Sequence, residues 1–246
     1  MNTRAALAGA LVALALPAAA ASADIVDVLD FNDLVHGEIV TTQYQASHGV
    51  TISADNFSRP FDLAVAFDST RTGTRDDDLE DPWTNGNLAP NTNLGRMLIL
   101  QENNTGIGDG IANYPDDEGN RPAGTLTFQW DRMLTGIGFD IIDLESPDVE
   151  MTSLKLYKEG SLVRSIDFAS FLSGGEFGDP TVQYGNNSAN RIGLLTAADL
   201  NIGGFDKAVF CLGGSMAIDN IRVVPTPGTI TLAGLGGLCL TRRRRR

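Results

Sequence analysis

The run "GTLTFQW", residues 124–130, alternates strictly, with Leu126, Phe128 and Trp130 on one side and Thr125, Thr127 and Gln129 on the other. That period of two marks a strand with one face in a core and the other in water. It also predicts that Trp130 is a core residue. Working outward, short runs of the same kind recur at 26–31, 38–44, 49–54, 63–67, 95–101, 135–142, 151–158, 161–166, 190–195, 205–211 and 215–224. "SLKLYK", 153–158, repeats the alternation through Leu154 and Leu156, and "KEGS", 158–161, reads as a hairpin turn with Gly160 free to take positive φ. No stretch between 24 and 224 sustains a helical period; 168–172 and 196–200 are the short helical candidates. Many short strands with Gly, Pro, Asn and Asp between them predict an all-β chain, an antiparallel jelly-roll-like β-sandwich with long acidic loops.

The two ends differ from this middle. Arg4 precedes an apolar run at 5–16, and Ala21-Ser22-Ala23 is a small-x-small triplet. That order predicts a signal peptide, 1–23, cut before Asp24 and so an exported chain. At the other end Pro225 and Pro227 break the last strand. Residues 229–241 are apolar or small, and Arg242, Arg243, Arg244, Arg245 and Arg246 end the chain. The apolar part is shorter than the about 20 residues of a full helical span. Arginines stay on the cytoplasmic side, so this segment reads as a transient membrane hold. The domains expected are therefore 1–23, the sandwich 24–224, and a sorting tail 225–246.

Pro225-Thr226-Pro227-Gly228, the apolar Gly/Leu stretch and the Arg cluster together resemble the PEP-CTERM sorting signal of exosortase-bearing Gram-negative bacteria. Thr226 stands where that family's name-motif has Glu. The resemblance covers 225–246. It implies an exosortase-type sorting enzyme as partner, cleavage near the Pro motif, and delivery to the cell surface or extracellular matrix.

The 31 acidic residues all lie within 24–224, while six of the 18 basic residues are Arg4 and Arg242–Arg246. The processed domain thus carries about −19. Nucleic acid and anionic lipid are excluded as partners, because both need the opposite sign; cations are the natural complement. Cys239 lies in the tail, which leaves Cys211, read as a buried thiol, and no disulfide framework. With only His36 and His48, an imidazole-built transition-metal site is poorly supplied. No G-x-S-x-G motif accompanies them.

The chemistry concentrates in two long strandless segments, 70–94 and 102–122. "STRTGTRDDDLEDPW", 69–83, crowds Asp76, Asp77, Asp78, Glu80 and Asp81 together; the second segment offers Asp116 and Asp117. Asp68 and Glu102 stand where apolar strands end, at positions a rigid scaffold can aim. Calcium takes six to eight oxygens from carboxylates, amides and carbonyls in flexible loops. Asp76 and Asp78, two apart, suit that use in an extended loop, with Asp77 turned away. The spacing is not an EF-hand, since the central Gly is missing. Two solvated acidic loops without an ion remain the alternative.

From "AVAFDSTRTGTRDDDLEDPW" through "LGRMLILQENN" and "YPDDEGNRPAGTLTFQW" to "IGFDIIDLE", residues 62–145 resemble a group of bacterial secreted β-sandwich proteins. The resemblance implies a shared scaffold and singles out Asp68, Asp76, Asp78, Glu102, Asp116 and Asp117 as metal ligands. "MAIDNIRVVP" resembles the last strand of carbohydrate-binding jelly rolls, where an acid can complete a calcium site with the first strand. That implies a second site, Asp30 or Asp33 with Asp219; a simple turn cap at Asp219 is the alternative.

These readings predict a non-catalytic calcium protein of the surface or matrix, structural or adhesive. A carbohydrate-binding module contacting extracellular polysaccharide through Trp83 or Tyr114 is the alternative. A glycoside hydrolase or lyase is a second, since paired carboxylates also serve glycosidases.

Overall fold

The computed structural model describes residues 26–147 and 151–226. The expected signal peptide, and Pro227, Gly228 and Arg242–Arg246 of the expected sorting tail, lie outside these residues. Pro225 is described, as the last residue of the last strand.

The chain is all-β. Among the described residues ten strands form one hydrogen-bonded system, organised by a single long strand, β7 (Gly124–Ile142). The other nine are β1 (Asp27–Leu29), β2 (Val50–Asn56), β3 (Ala64–Asp68), β4 (Arg96–Leu100), β8 (Ser153–Lys158), β9 (Ser161–Asp167), β10 (Ala189–Thr196), β11 (Phe205–Leu212) and β12 (Ala217–Pro225). A two-residue hairpin, β5 (Ile107–Gly108) with β6 (Ile111–Ala112), stands apart. The first half of β7 lies between β2 and β11, and β8 and β9 extend that layer. The second half lies between β10 and β12, followed by β4 and β3, with β1 also on β12. All these pairs are antiparallel.

The alternation of 124–130 does what its period predicts. Ile52, Ala208 and Phe128 are register partners, as are Ala54, Phe210 and Leu126, so apolar side chains meet on one face. The second half of β7 answers with Ile137, Phe139 and Ile141. The rings of Phe139 and Phe210 meet edge to face at 5.0 Å, joining the two layers in one core. Trp130 lies in that core, 2% exposed.

In β12 the pairing slips between Asp219 and Arg222, and Asn220 takes φ 47°. This bulge lets Ile218 and Ile221, three apart, both reach the core. The layer of β3, β4 and β12 is buried on its outer face too. There Val65, Phe67, Met97, Ile99 and Ala217 are covered by Leu79, Trp83 and Leu94 of the first acidic segment.

Several expected elements change. The runs 124–130 and 135–142 are one strand; Asp131–Met133 continue it with shifted pairing. The run 38–44 is no strand: it makes only isolated bridges, Glu38 to Ile111 and Ile39 to Val65, before a short helix, α1 (Gln45–His48). Phe168–Phe171 is a 3-10 turn, but 196–200 is a turn closed by Leu200 N–H to Thr196 O at 3.0 Å. In the 158–161 hairpin Glu159 joins Gly160 at positive φ, 50° and 81°, the pattern of a type I′ turn. Cys211 is half-buried rather than buried, because it lies on the β11 face turned from the core.

Candidate functional site

Segment 69–94 is ordered because it buries apolar side chains. A 3-10 turn, Asp77–Leu79, drives Leu79 into the outer core, and Trp83 follows, its Nε1–H donating to Thr92 O at 2.9 Å. Each such burial is worth roughly 1.5–3 kcal/mol. Glu80 folds back to accept from Gly73 N (3.1 Å) and Thr74 N (2.6 Å). The end of the segment is stitched to β10: Ala189 N donates to Asn85 O (2.9 Å) and Leu88 N to Ala189 O (3.1 Å). Between them Gly86 takes φ 107° where a Cβ would stand 2.1 Å from Ala189 O, so only glycine fits. Asp76 and Asp78 are thereby aimed inward while Asp77 stays exposed, as expected.

Segment 102–122 returns along β4. Buried Gln101 accepts from Asp116 N (3.2 Å) and donates to Tyr114 O (2.9 Å); Glu118 N donates to Leu100 O (2.9 Å). This brings Asp117 to Asp76, whose Oδ2 lies 3.4 Å from the Asp117 backbone N.

Two further strand ends complete the cluster. Asp143, just past β7 and 2% exposed, accepts from Asn187 N at 2.6 Å. Ser215, just before β12, places its Oγ 2.9 Å from both oxygens of Asp117 and 3.2 Å from Asp143 Oδ2. A serine hydroxyl carries one proton, so it cannot satisfy both carboxylates when both are ionised. Asn187 spends its side-chain N–H groups on Asp78 O (3.0 Å) and Glu80 O (2.8 Å), and its Oδ1 is buried with no hydrogen-bond donor among the described residues. Asn186 donates to Asp78 Oδ1 at 3.0 Å.

Burial and mutual repulsion raise all three inner carboxyls. Asp143 is pushed up to about 8 by burial and by the charges of Asp78 and Asp76. Asp117 and Asp76 rise together, first by burial and then by each other's or neighbouring charge. Among the described residues no ion pair reaches Asp76, Asp117 or Asp143. The contrast with other buried acids is sharp. Asp140 holds Arg191 (2.9 and 2.7 Å) and Arg222 (3.1 Å), and Glu118 holds Arg59 at 2.8 Å. Among the described residues no three His, Cys, Asp or Glu side chains already stand in metal-holding geometry.

The remaining expected ligands go elsewhere. Asp68 accepts from Thr70 and lies 3.5 Å from Arg96, so it is already neutralised. Glu102 is paired with Arg59. Asp116 lies at the rim, pushed up to about 6 by burial, then by Glu102 and Asp76. Asp33 is turned to the Tyr44 hydroxyl. Asp219 is fully buried opposite Asp140, its Oδ2 accepting from Asn220 (2.7 Å) and its Oδ1 unpartnered among the described residues. Burial, then Asp140 and Asp30, hold it well above the carboxylate range. Asp30, one residue beyond the Leu29–Ile221 pair, is thus a first-strand acid whose charge Asp219 feels. Trp83, 2% exposed, offers no face to a ligand; Tyr114, 47% exposed, does.

Tyr114 stands on a cleft of about 620 Å³ between the two segments, lined by His36, residues 70–75 and residues 113–115. The Arg75 guanidinium lies 4.8 Å from the Tyr114 ring centre. His36 Nδ1 accepts from the Asp68 backbone N–H at 3.0 Å, which leaves its proton on Nε2. Burial, then Arg71, lower the imidazole to about 4, so it is neutral at pH 7.

No family model matches the chain, and no curated protein matches it. Among solved structures it is similar to the K2 cleaved adhesin domain of Lys-gingipain (Kgp), with a TM-score of 0.40 and 12% identity over 81% of this chain and 99% of that one.

Proposed function

We propose that this is an exported, non-catalytic, calcium-binding β-sandwich protein with a structural or adhesive role at the cell surface or in the extracellular matrix. The observation that carries the calcium reading is the crowding of carboxyls at Ser215: one hydroxyl faces three carboxyl oxygens, and no basic side chain among the described residues pairs with them. Asp76, Asp78, Asp117 and Asp143, with the unpartnered Asn187 Oδ1, supply the all-oxygen set that calcium takes. The ion would draw these side chains inward, join segment 69–94 to segment 102–122, and replace mutual repulsion with shared attraction. Magnesium demands stricter octahedral geometry and keeps more waters, so it substitutes poorly. Asp219 is assigned a proton, since Asp140 takes both nearby arginines. Export and sorting rest on the chain ends, read as a signal peptide and a tail for an exosortase-type enzyme.

The test is thermal unfolding of the purified protein with calcium, with magnesium and with chelator, alongside elemental analysis. An ion at about a hundred times its Kd adds about 2.7 kcal/mol, which in a domain of this size raises Tm by roughly 5–10 °C. A metal-free protein with one Tm in all three buffers would refute the calcium reading.

A further inference from the structure

The cleft beside the carboxylate cluster has the opposite electrostatic character. In a chain of net charge −13, its lining contains Arg71 and Arg75, beside the neutral His36, but no Asp or Glu. Arg71 lies 3.9 Å from Asp68, a loose contact, with its side chain 57% exposed. Arg75 has no ion pair among the described residues and is held instead against the Tyr114 ring. Arg75 is thus placed by the fold and Arg71 stands in solvent beside it, both with donors to spare. Tyr114 offers an exposed aromatic surface, and Thr72 an exposed hydroxyl. The volume lies within the range of ligand-binding clefts.

We infer that this cleft binds an acidic glycan, with Arg71 and Arg75 pairing the carboxylates of uronate residues and Tyr114 supporting a sugar ring. Guanidinium matches carboxylate bidentately. A ring face beside hydroxyl and amide groups suits the mixed apolar and hydroxylated surface of a pyranose better than it suits a bare inorganic anion. A nucleic acid would offer phosphates to the same guanidiniums, so an oligonucleotide is included in the experiment. The inference names the ligand class of the adhesive reading and rests on it. Because Arg75 directly precedes Asp76, and Pro115 lies two before Asp117, the cleft walls are continuous with the carboxylate cluster.

The experiment is calorimetric titration of the full purified chain with a hyaluronan tetrasaccharide and with its carboxyl-reduced neutral counterpart. The wild type should bind the acidic form at least about tenfold more tightly than the neutral one, and R71A/R75A should lose about tenfold or more. Y114A should weaken both forms. Equal binding of the two sugars, undiminished binding by R71A/R75A, no binding of the acidic sugar, or equally tight binding of a single-stranded oligonucleotide would each overturn the proposal. Melting with and without calcium is recorded on the same proteins. A normal calcium shift without glycan binding sinks the cleft alone; glycan binding without a calcium shift sinks the calcium reading alone.

Discussion

Ser215 Oγ lies 2.9 Å from both carboxyl oxygens of Asp117 and 3.2 Å from Asp143 Oδ2, so one hydroxyl is shared between two acids that the fold has taken out of water. Asp117 belongs to the segment returning along β4 and Asp143 to the end of β7. The hydroxyl between them joins the end of β7 to the second acidic segment, which Asp76, 3.4 Å from the Asp117 backbone N, joins in turn to the first.

Asp117→Asn should therefore act in opposite directions in two buffers. In chelator it removes one of the repelling charges and should raise Tm; in calcium it removes a ligand and should abolish most of the calcium-induced rise. Asp77→Asn, at an exposed position of the same run, should change stability by no more than about 0.5 kcal/mol in either buffer. Paired melts of the two variants decide it, and identical behaviour would refute Asp117 as a calcium ligand.

The pH dependence has a defined sign. Asp143 has a folded pKa of about 8 against an ordinary 3.8, so its contribution is complete at low pH and is lost as pH rises through 8. In chelator, Tm should climb on acidification from about pH 8.5 to about pH 6.5. Below that, His36, lowered to about 4 from 6.5, works the other way, since its protonation opposes folding as pH falls. Saturating calcium should flatten or reverse the climb, because protons and the ion compete for the same oxygens. Melts at graded pH with and without calcium check this.

Trp83 and Tyr114 should separate cleanly by their effects. Trp83→Ala empties a site in the outer core and should cost about 3–5 kcal/mol in chemical denaturation. It should also weaken calcium binding by releasing segment 69–94. Tyr114→Ala removes an exposed ring and should leave stability within about 0.5 kcal/mol.

Buried and surface ion pairs should differ as sharply. Arg222 holds fully buried Asp140 at 3.1 Å and donates to Ile192 O at 2.8 Å. Arg222→Ala should cost about 3 kcal/mol, by leaving a buried charge short of a partner. Arg164→Ala, at the exposed pair with Glu176, should cost at most about 1 kcal/mol. Urea unfolding of both variants measures the contrast.

The strands were legible wherever one face is apolar and the other polar, because that alternation is local; Leu126, Phe128 and Trp130 needed nothing else. The continuity of β7 was hidden, since Asp131 and Arg132 look like a break until β11 and β12 are seen to carry the pairing onward. The run 38–44 has strand-forming residues and touches the edge of β3 through Glu38, Ile39 and Val40, but the chain turns away into α1 before a ladder can extend. Within the site, Asp76, Asp78 and Asp117 could be read from crowding. Asp143 could have been found by the rule that drew attention to Asp68 and Glu102, an acid just past an apolar strand. Asn187 and Ser215 carry no local signal and reach the cluster only through the sheet's topology. Asp68 and Glu102 were misplaced because their neutralising partners, Arg96 and Arg59, lie 28 and 43 residues away in the chain. Trp83 looked like a platform because a loop position says nothing of burial, although Leu79 four residues earlier hinted at a shared anchor.

The antiparallel pairing of β1 with β12 also fixes an orientation. Asp27 faces Val223, so the domain's beginning and its exit at Pro225 lie side by side. Ser215 lies before the opposite end of β12, whose nine residues span about 30 Å. If the segment after Pro225 is a leash, as proposed, it holds the molecule by its base, with the carboxylate cluster at the far tip.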